Sequence, residues 1–302
     1  MSAIYKVANL SKQAHLAYEK RRQKQADNWI LLEPLLTEWR DRHPSMSLKK
    51  LYVQIQPSFI GRNLFIDYGM ANGFELIPYK KSIKTTIPAC TRHYPNLLTN
   101  LIICDVNQVW VSDITYFKIF DKWYYIVLIM DLYSRKIIGH FVAKNMFAQA
   151  NLNALNLALK NRKITRFNQS LIHHSDRGSQ YNSLLYTNAL AAAEIQISMG
   201  KIVYDNIHIE RVNQTIKGEY LRHRNINAFS DLKFHSAKDI ALYNEERPHL
   251  ALGMKTPTDF ERYICNIPLC QRTPMRVFAL KKKSNPKLVS SPDPNQLCLP
   301  FS

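Results

Sequence analysis

Three runs of β-branched and aromatic residues follow one another closely in the middle of the chain, and they constrain the fold more than any other feature. They are VWVSDITYFKI (109–119), KWYYIVLIMDL (122–132) and KIIGHFVA (136–143). Residues of these types favour β-strands. The first two runs are separated only by a tight turn, which we place at Asp121-Lys122. Because such short links join neighbouring antiparallel strands, we predict a three-stranded meander.

The pattern after the meander alternates helices and strands. Residues 147–161 are predicted to form an amphipathic helix, whose apolar stripe consists of Ala148, Leu152, Leu155 and Leu159. The following segments are predicted, in order, as a strand at 170–176, a helix at 183–193, a strand at 195–199 and helices at 205–222 and 231–246. We therefore predict an α/β core over 109–262, with a mixed five-stranded sheet flanked by helices.

The residues before the core are predicted to include a small helical module. Residues 1–27 are polar and basic and are interpreted as a lead-in, whereas 28–76 carry apolar residues at helical spacing with two breaks. Three short helices of this kind resemble a helix-turn-helix module, in which Lys49, Lys50 and Arg62 would contact DNA. A plain helical bundle with solvated lysines accounts for the same pattern equally well.

Two segments carry no periodic pattern. Residues 77–108 contain several Pro and Lys residues and are predicted to be a linker. Residues 263–302 are rich in Pro, Ser and Lys and are predicted to be a flexible basic tail. The predicted order is therefore lead-in, helical module, linker, core and tail.

Positive charge is spread along the whole chain. Lys and Arg number 41 against 23 Asp and Glu, which gives a net charge of +18, and the isoelectric point is about 9.7. A single basic tail would indicate one electrostatic anchor, whereas a distributed excess is typical of a protein that follows a long polyanion. We therefore expect nucleic acid, specifically double-stranded DNA, as a partner.

Cysteine spacing and apolar runs argue against several other classes of protein. The five cysteines are irregularly spaced and form no CxxC pair, so neither a disulfide framework nor a thiolate zinc site is expected. The longest apolar run, residues 123–130, is too short to cross a bilayer, and no signal peptide is evident. We expect a reducing, cytoplasmic setting and no membrane partner.

Three acidic residues occupy positions that an acid seldom occupies without a reason. Asp113 lies in the middle of the first predicted strand, Asp176 at the end of the fourth, and Glu210 on the flank of a predicted helix. If the fold brings them together, the three carboxylates repel one another unless a cation lies between them. Carboxylate oxygens suit hard cations, so we expect Mg²⁺ or Mn²⁺, as two ions about 4 Å apart that clamp a phosphodiester.

Two further polar residues share the helix flank of Glu210. Gln214 and Lys217 follow it at helical spacing, about 90° from the apolar stripe of the same helix. Lys217 lies about 10.5 Å from Glu210 along the helix axis, too far for a good ion pair. We expect Lys217 to hold a phosphate beyond the metal ions.

The sequence resembles the transposases of insertion-sequence family three, the product of that family's second reading frame, in four ordered motifs. These are WVSDITY (110–116), HSDRGSQY (174–181), DNxxxERVNxTIKxEY (205–220) and YNxxRPHxALGMxTP (243–257). The resemblance covers about residues 95–262 and implies a retroviral-integrase core with an RNase H-like fold. It also implies that Asp113, Asp176 and Glu210 are the DDE metal ligands and that Lys217 is the basic residue that follows the Glu.

The activity that the resemblance implies is metal-dependent cleavage of the ends of an insertion sequence, followed by strand transfer. Two alternatives are an RNase H-like nuclease that does not join strands and a catalytically silent DNA-binding protein. The expected partners are transposon-end and target DNA, further copies of the chain assembled on DNA, and the first-reading-frame product, supplied separately or as a fusion. The expected location is the bacterial cytoplasm, in association with the nucleoid. The residues expected to contact DNA are Lys217, Gln214, Arg177, Lys49, Lys50 and Arg62.

The sequence departs from related proteins in three respects. The interval between Asp176 and Glu210 is shorter than is usual in the family, and we place the shortening in SMGKIVYDN (198–206). The chain has no His/Cys pairing like that of the N-terminal zinc module of retroviral integrases. It also lacks the leucine-zipper heptads that the family's first reading frame supplies.

Overall fold

A computed structural model of the chain describes residues 11–76, 94–163, 171–200 and 206–277. Its N-terminal part is helical, and the rest is an α/β core. The helical module consists of α1 (Lys12–Arg42), α2 (Leu48–Ile55) and α3 (Arg62–Ala71). The core contains β1 (Ile102–Ile103), β2 (Val109–Ile119), β3 (Lys122–Asp131), β4 (Ile137–Ala143), α4 (Ala148–Arg162), β5 (Ile172–Ser175), α5 (Leu184–Ala192), β6 (Gln196–Met199), α6 (Ile207–Thr215), a π-helical turn (Ile216–Tyr220), a 3₁₀ turn (Leu221–His223), α7 (Phe229–Glu246), α8 (Pro257–Cys265) and β7 (Met275–Arg276).

The central sheet has the predicted five strands, in the order β4-β3-β2-β5-β6. The meander β2-β3-β4 is antiparallel, and β5 and β6 join it parallel to β2. Short turns suffice for the antiparallel part, whereas the parallel strands require the crossover helices α4 and α5. Strand β2 is therefore central, with one neighbour of each orientation, which is the topology of an RNase H-like fold.

Helices cover both faces of the sheet. One face packs against α6 and α7, and the apolar residues that α6 and the π-helical turn bury there are Ile209, Val212, Ile216 and Tyr220. This stripe was predicted from the helical spacing. The opposite face packs against α4 and α5. A third cluster, built on Leu32, Leu36, Leu51 and Phe65, forms the interior of the helical module.

Helix α4 differs from its predicted stripe because small residues form its buried face. The residues it buries are Ala150, Asn151, Ala154, Leu155 and Ala158, while Leu152 and Leu159 are only partly buried. The helix lies close to β4 at Gly139, where a side chain would have no space. Close packing of two backbones selects small residues, and a count of large apolar residues does not detect that.

We expect Gly139→Ala to destabilise the fold by about 1 to 3 kcal/mol, since overpacking of a rigid contact carries a cost of that size. The added Cβ would overlap the carbonyl oxygen of Ala154 and would lie 2.8 Å from Cβ of Ala158. Urea denaturation monitored by circular dichroism measures the change. Gly61→Ala is the matched control, because nothing lies within 4 Å of its added Cβ. Equal effects of the two substitutions would contradict the close approach of α4 to β4.

The tight turn of the first hairpin lies one residue before the predicted position. Ile119 pairs with Lys122, so Phe120 and Asp121 form the two-residue loop. Phe120 takes a positive φ of 48°, as the first central position of the primed two-residue hairpin turns requires. An aromatic residue is unusual there, and the turn was therefore placed on the polar pair that follows.

Helix α1 is longer than predicted and crosses the proposed boundary between residues 27 and 28 without a break. Its 31 residues include the basic segment 20–24. Lys, Arg, Gln and Ala are good helix formers, and neither Gly nor Pro occurs between residues 12 and 33, so the helix continues through Asp27 and Asn28. The polar lead-in and the apolar module therefore share one helix. The assignment of the module as a DNA-binding unit remains a prediction.

The predicted linker and tail also contain regular structure, because parts of them pair with each other. Strand β1 (102–103) pairs antiparallel with β7 (275–276), and Ile103 and Val277 are buried beside this ladder. Two-residue strands carry no periodic signal, so this pairing could not be read from composition. Residues 77–93 and 278–302 of these two segments lie outside the described part of the chain.

None of the helices in the described ranges is both long enough and apolar enough to span a lipid bilayer.

Candidate active site

The first two acids lie on neighbouring parallel strands at the same level of the sheet. Strand β2 pairs with β5 so that Val111 lies opposite His174. Continued by two residues, this register brings Asp113 level with Asp176, which directly follows β5. Adjacent strands lie about 4.8 Å apart, so the sheet alone brings two carboxylates together. Alternation along the strands directs both toward the face covered by α6.

Helix α6 contributes the third acid and two residues that support it. Glu210, Asn213 and Lys217 follow one flank of α6 and the π-helical turn. The Asn213 side-chain amide donates a hydrogen bond of 2.7 Å to Oδ2 of Asp113, which ties this flank to the central strand. The buried stripe of the helix places the flank beside the ends of β2 and β5.

The three acids interact electrostatically, and each resists ionisation. Burial raises the pKa of Asp113 to about 8, and the charge of Asp176 and then that of Glu210 act in the same direction. Protein packed around its carboxyl group raises the pKa of Asp176, although the Gly178 N–H donates to its Oδ1 at 3.0 Å. Burial, and after it the charge of Asp176, raises the pKa of Glu210. Each acid would hold its proton less tightly beside a cation.

Lys217 is the basic residue that the fold brings to these acids. It is half-buried, and desolvation lowers its pKa, as does Arg222 to a smaller extent. Asp113 acts in the opposite direction, so Lys217 lies within electrostatic reach of the central carboxylate. Since Lys217 also remains partly open to solvent, its ammonium can bind an anion that lies beside the acids.

The donor set suits a hard cation, although the carboxylates do not form a closed cluster. Throughout the described ranges, no three Asp, Glu, His or Cys residues lie close enough together to hold a metal ion. The acids Asp113, Asp176 and Glu210 nevertheless present only oxygen ligands. The charge of Asp176 raises the pKa of the other two, and that of Glu210 raises the pKa of Asp113, which is an electrostatic environment that a divalent cation relieves. Residues 201–205, where the shortened interval was placed, lie outside the described part of the chain.

Several supporting contacts were not predicted from the sequence. Asn213 is the main one. It lies three residues after Glu210 in the third motif, and that spacing on one helix flank was the available signal. Asn206 donates from its side-chain amide to the Ser112 carbonyl at 3.1 Å. The Ser112 hydroxyl in turn bonds to the Tyr181 hydroxyl at 2.8 Å. These bonds fasten both sides of β2 next to Asp113.

The other residues expected to contact DNA are placed less uniformly. Gln214 is exposed on α6, and Arg177 is half-buried directly after Asp176. Lys49 and Arg62 are exposed on α2 and α3 of the helical module. Lys50 is half-buried at the contact between the module and the core. Its role in binding DNA remains a prediction, as do those of the other four.

Lys50 is expected to destabilise the fold in its charged form. Burial, followed by the charge of Arg247, lowers its pKa to about 8 despite the opposing effect of Glu219. We expect Lys50→Met to raise the free energy of unfolding at pH 7 by about 1 kcal/mol, a value reduced for partial exposure. The folded state loses the Lys50 proton near pH 8 and the unfolded state only near 10.5, so the gain shrinks as the pH rises above 8.

Urea titrations from pH 6 to 10 measure this difference. Lys49→Met is the matched control, because Lys49 is the exposed neighbour on the same helix, and it is expected to change stability by less than about 0.5 kcal/mol at any pH. A gain for Lys50→Met that stays constant through pH 10 would contradict the assignment of the effect to the Lys50 charge.

Comparison with known proteins agrees with this geometry. Two family models, both described as Integrase core domain, match residues 105–203 and 191–257. Transposase InsF for insertion sequence IS3A of Escherichia coli strain K12 is 33% identical over 162 residues, which is 51% of this chain and 54% of that protein. The 31 kDa protein of insertion element IS600 of Shigella sonnei is 28% identical over 257 residues, covering 78% of this chain and 93% of its own.

Two further similarities each cover about half of this chain. A Mycobacterium tuberculosis protein named as a transposase for insertion sequence element IS986/IS6110 is 31% identical over 160 residues, or 51% of this chain. The chain spans 58% of the length of that relative. The HTLV-2 integrase catalytic core domain, solved in complex with magnesium, aligns with a TM-score of 0.41 at 18% identity, over 51% of this chain and 95% of the other.

An acid in the central strand and another after its parallel neighbour, in a sheet of this strand order, define an RNase H-like integrase core. The matched family models cover the strands and helices that carry Asp113, Asp176 and Glu210. The chain carries sequence that matches the integrase core domain over residues 105–257, and it is similar to transposases of insertion sequences, among them that of IS3A.

Proposed function

We propose that this protein cleaves the ends of an insertion sequence and transfers the freed strands to a new phosphodiester. The observation that carries the proposal is the register that puts Asp113 level with Asp176 on adjacent strands, with the charge of Glu210 acting on Asp113 and the cationic Lys217 within electrostatic reach of it. Buried carboxylates that repel one another destabilise the folded protein unless they bind cations. Carboxylates are the ligands that bind Mg²⁺ together with the phosphates of a substrate. The sequence similarity to integrase core domains and to transposases of insertion sequences supports the same function.

The reaction consists of two in-line displacements at phosphorus. In the first, water attacks the phosphodiester at the end of the element, the bond to the 3′ oxygen breaks, and a 3′-OH is released. In the second, that 3′-OH attacks another phosphodiester, and one P–O bond forms as one breaks. The second step therefore needs no outside energy source. Neither step needs a covalent enzyme intermediate.

The residues of this chain have distinct roles in the proposal. Asp113, Asp176 and Glu210 would hold Mg²⁺ or Mn²⁺, as a pair of ions, which supplies Lewis-acid polarisation of the phosphodiester and the attacking oxygen. The Asn213 amide orients the Asp113 carboxylate, and the Gly178 N–H orients that of Asp176. Lys217 binds a phosphate oxygen beside the acids and holds the backbone in line.

The proposed partners follow from this chemistry and from the charge of the chain. Double-stranded DNA, as transposon end and as target, balances the net charge of +18. We propose that several copies assemble on DNA, because two ends must be held at once, and that the first-reading-frame product assists recognition of those ends. Contacts from Lys49, Lys50, Arg62, Arg177 and Gln214 to DNA belong to the same proposal.

The test is a strand-transfer assay with labelled end-sequence DNA and Mg²⁺, with and without the first-reading-frame product. Joined products that disappear when EDTA is added, and return with excess Mg²⁺, are the expected result. Cleavage without joining would favour a nuclease instead. Salt-dependent DNA binding without either reaction, in Mg²⁺ and in Mn²⁺, would favour a silent DNA-binding protein.

A further inference from the structure

The segment that carries Lys217 is π-helical, although it continues α6 without a break. Residues Ile216–Tyr220 form this turn, and a 3₁₀ turn follows it. A π-helical turn is a rare conformation that usually needs outside support, and single turns of this kind are frequent at functional sites. It also shifts the direction of the side chains that follow, so it determines where the Lys217 ammonium lies relative to Asp113.

One support reaches this turn from the helical module. His43, the residue that ends α1, is fully buried. Its Nδ1 lies 2.9 Å from the Tyr220 hydroxyl, and its Nε2 lies 2.8 Å from Oε2 of Glu246. The Glu246 carboxylate can only accept, so Nε2 carries the proton, and in the neutral imidazole Nδ1 accepts from the Tyr220 hydroxyl. Burial lowers the pKa of His43, which favours that neutral form.

A second support comes from the core itself. Arg247 forms a two-pronged ion pair with Glu219, the residue before Tyr220, with both N–O distances at 2.7 Å. The Arg247 side chain is 8% exposed, and its guanidinium carbon lies 5.7 Å from the centre of the Tyr243 ring. Because the guanidinium and the carboxylate are both planar and are joined by two hydrogen bonds, the Glu219 side chain has little rotational freedom. The last two residues of the π-helical turn are thus fastened to different parts of the molecule.

The end of α1 is itself held in place. Arg224, which follows the 3₁₀ turn, donates to the carbonyls of Asp41 and Arg42 at 2.7 and 2.8 Å. The same guanidinium bonds to the fully buried carboxylate of Asp239 at 2.7 Å. Helix ends leave carbonyls unpaired, and a cation there satisfies them and favours the negative end of the helix dipole. His43 is therefore presented to Tyr220 from a rigid support.

We propose that His43 and Arg247 are positioning residues that clamp the π-helical turn through Tyr220 and Glu219 and so set the position of Lys217. The helical module then acts as a brace for the active site, in addition to any contact it makes with DNA. The role given to Lys217 rests on the proposed function, whereas the clamp itself rests only on the contacts described above. A partner bound to α1 would therefore affect the position of Lys217 through the hydrogen bond between His43 and Tyr220.

The first experiment measures the clamp without any reaction. Tyr220→Phe removes the hydroxyl that meets His43 while keeping the buried ring. We expect amide hydrogen exchange over residues 216–220 to become on the order of tenfold faster or more, with the exchange of β2 and β3 unchanged. Glu219→Gln, which weakens the other clamp, should act on the same amides. Tyr52→Phe, at a half-buried tyrosine of the helical module, is the control and should change neither region. Unchanged exchange over 216–220 in both clamp variants would overturn the proposal.

The second experiment asks whether the clamp acts through Lys217. We expect Tyr220→Phe to lower kcat for strand transfer by on the order of ten- to a hundredfold, as small misplacements of a positioned group do, with KM little changed. In the Lys217→Ala background we expect Tyr220→Phe to lower kcat by less than about twofold, because the side chain that the clamp positions is absent. Losses that multiply fully in the double variant would show that Tyr220 acts elsewhere and would overturn the proposal.

The two experiments separate this inference from the proposed function. If the wild-type protein joins no DNA, the function fails, and hydrogen exchange still decides whether the clamp holds the turn. If strand transfer is present but Tyr220→Phe leaves kcat unchanged, the clamp does not set the position of Lys217, which overturns the proposal, and the proposed function stands.

Discussion

Asp113→Asn is expected to abolish strand transfer, by at least about a thousandfold, while making the folded protein more stable. The activity loss follows because the acid in the central strand is the proposed ligand that every other part of the site surrounds. A divalent ion contributes several kcal/mol of transition-state stabilisation, and each 1.36 kcal/mol is a factor of ten in rate. Binding of end DNA should remain, since the contacts proposed to bind it lie on other residues.

The gain in stability has an independent physical cause. Burial and the charges of Asp176 and Glu210 raise the pKa of Asp113 to about 8, so its ionised form is unfavourable in the folded protein without metal. An amide of the same shape has no charge to bury. We expect the free energy of unfolding at pH 9 in EDTA, where Asp113 is largely ionised, to rise by about 1 to 3 kcal/mol, less than the full pKa shift implies because the residue keeps some contact with solvent.

Asp121→Asn is the matched control for both measurements, strand transfer and the free energy of unfolding. Asp121 lies in the hairpin turn of the same two strands, its side chain is fully exposed, and its pairing with Lys118 is long at 3.4 Å. We expect neither activity nor stability to change. Strand transfer by Asp113→Asn within tenfold of the wild type would remove Asp113 from the site. Lower stability of that variant would contradict the electrostatic description.

Arg162→Met is expected to destabilise the fold by about 3 kcal/mol without touching the active site. Arg162, at the end of α4, forms a two-pronged ion pair with Glu261 of α8, at 2.6 and 3.0 Å, and lies 3.7 Å from the fully buried Asp131. Removing Arg162 leaves the buried Asp131 without its paired cation and the mostly buried Glu261 with Lys136 alone, and breaking a buried ion pair typically costs about 3 to 5 kcal/mol. The lower end applies because the Ser134 N–H still donates to Asp131, its hydroxyl still donates to Glu261, and Lys136 remains 3.4 Å from Glu261.

Urea denaturation at pH 7 measures this effect as a shift of the midpoint at constant m value. Arg262→Met is the control, since Arg262 lies one position beyond Glu261, is 70% exposed and pairs with Asp259 at 2.9 Å on the surface. We expect Arg262→Met to change the free energy of unfolding by less than about 0.5 kcal/mol. Similar losses for the two arginines would show that burial does not set the strength of the Arg162 network.

The strands of the sheet could be predicted from the sequence, and the three acids could be singled out as candidates, because each has a strong local signal. Strands β2 to β4 consist of β-branched and aromatic residues at short intervals, and no helix pattern fits them. Asp113 was noticed because an acid interrupts such a strand, and the motifs around Asp176 and Glu210 are long enough to identify a family. The buried stripe of α6 followed from helical spacing alone.

Only the tertiary structure decided which residues that are distant in sequence contact one another. The local sequence around those residues carries no pattern that predicts the contacts. His43 and Tyr220 are 177 residues apart, and neither carries a local pattern that predicts the other. The pairing of β1 with β7, the hydrogen bond from Asn213 to Asp113 and the π-helical turn that carries Lys217 are of the same kind. Periodicity reports which face of an element is buried, because burial repeats along that element. Which partner it meets depends on contacts between elements, and these form only when the whole chain has folded.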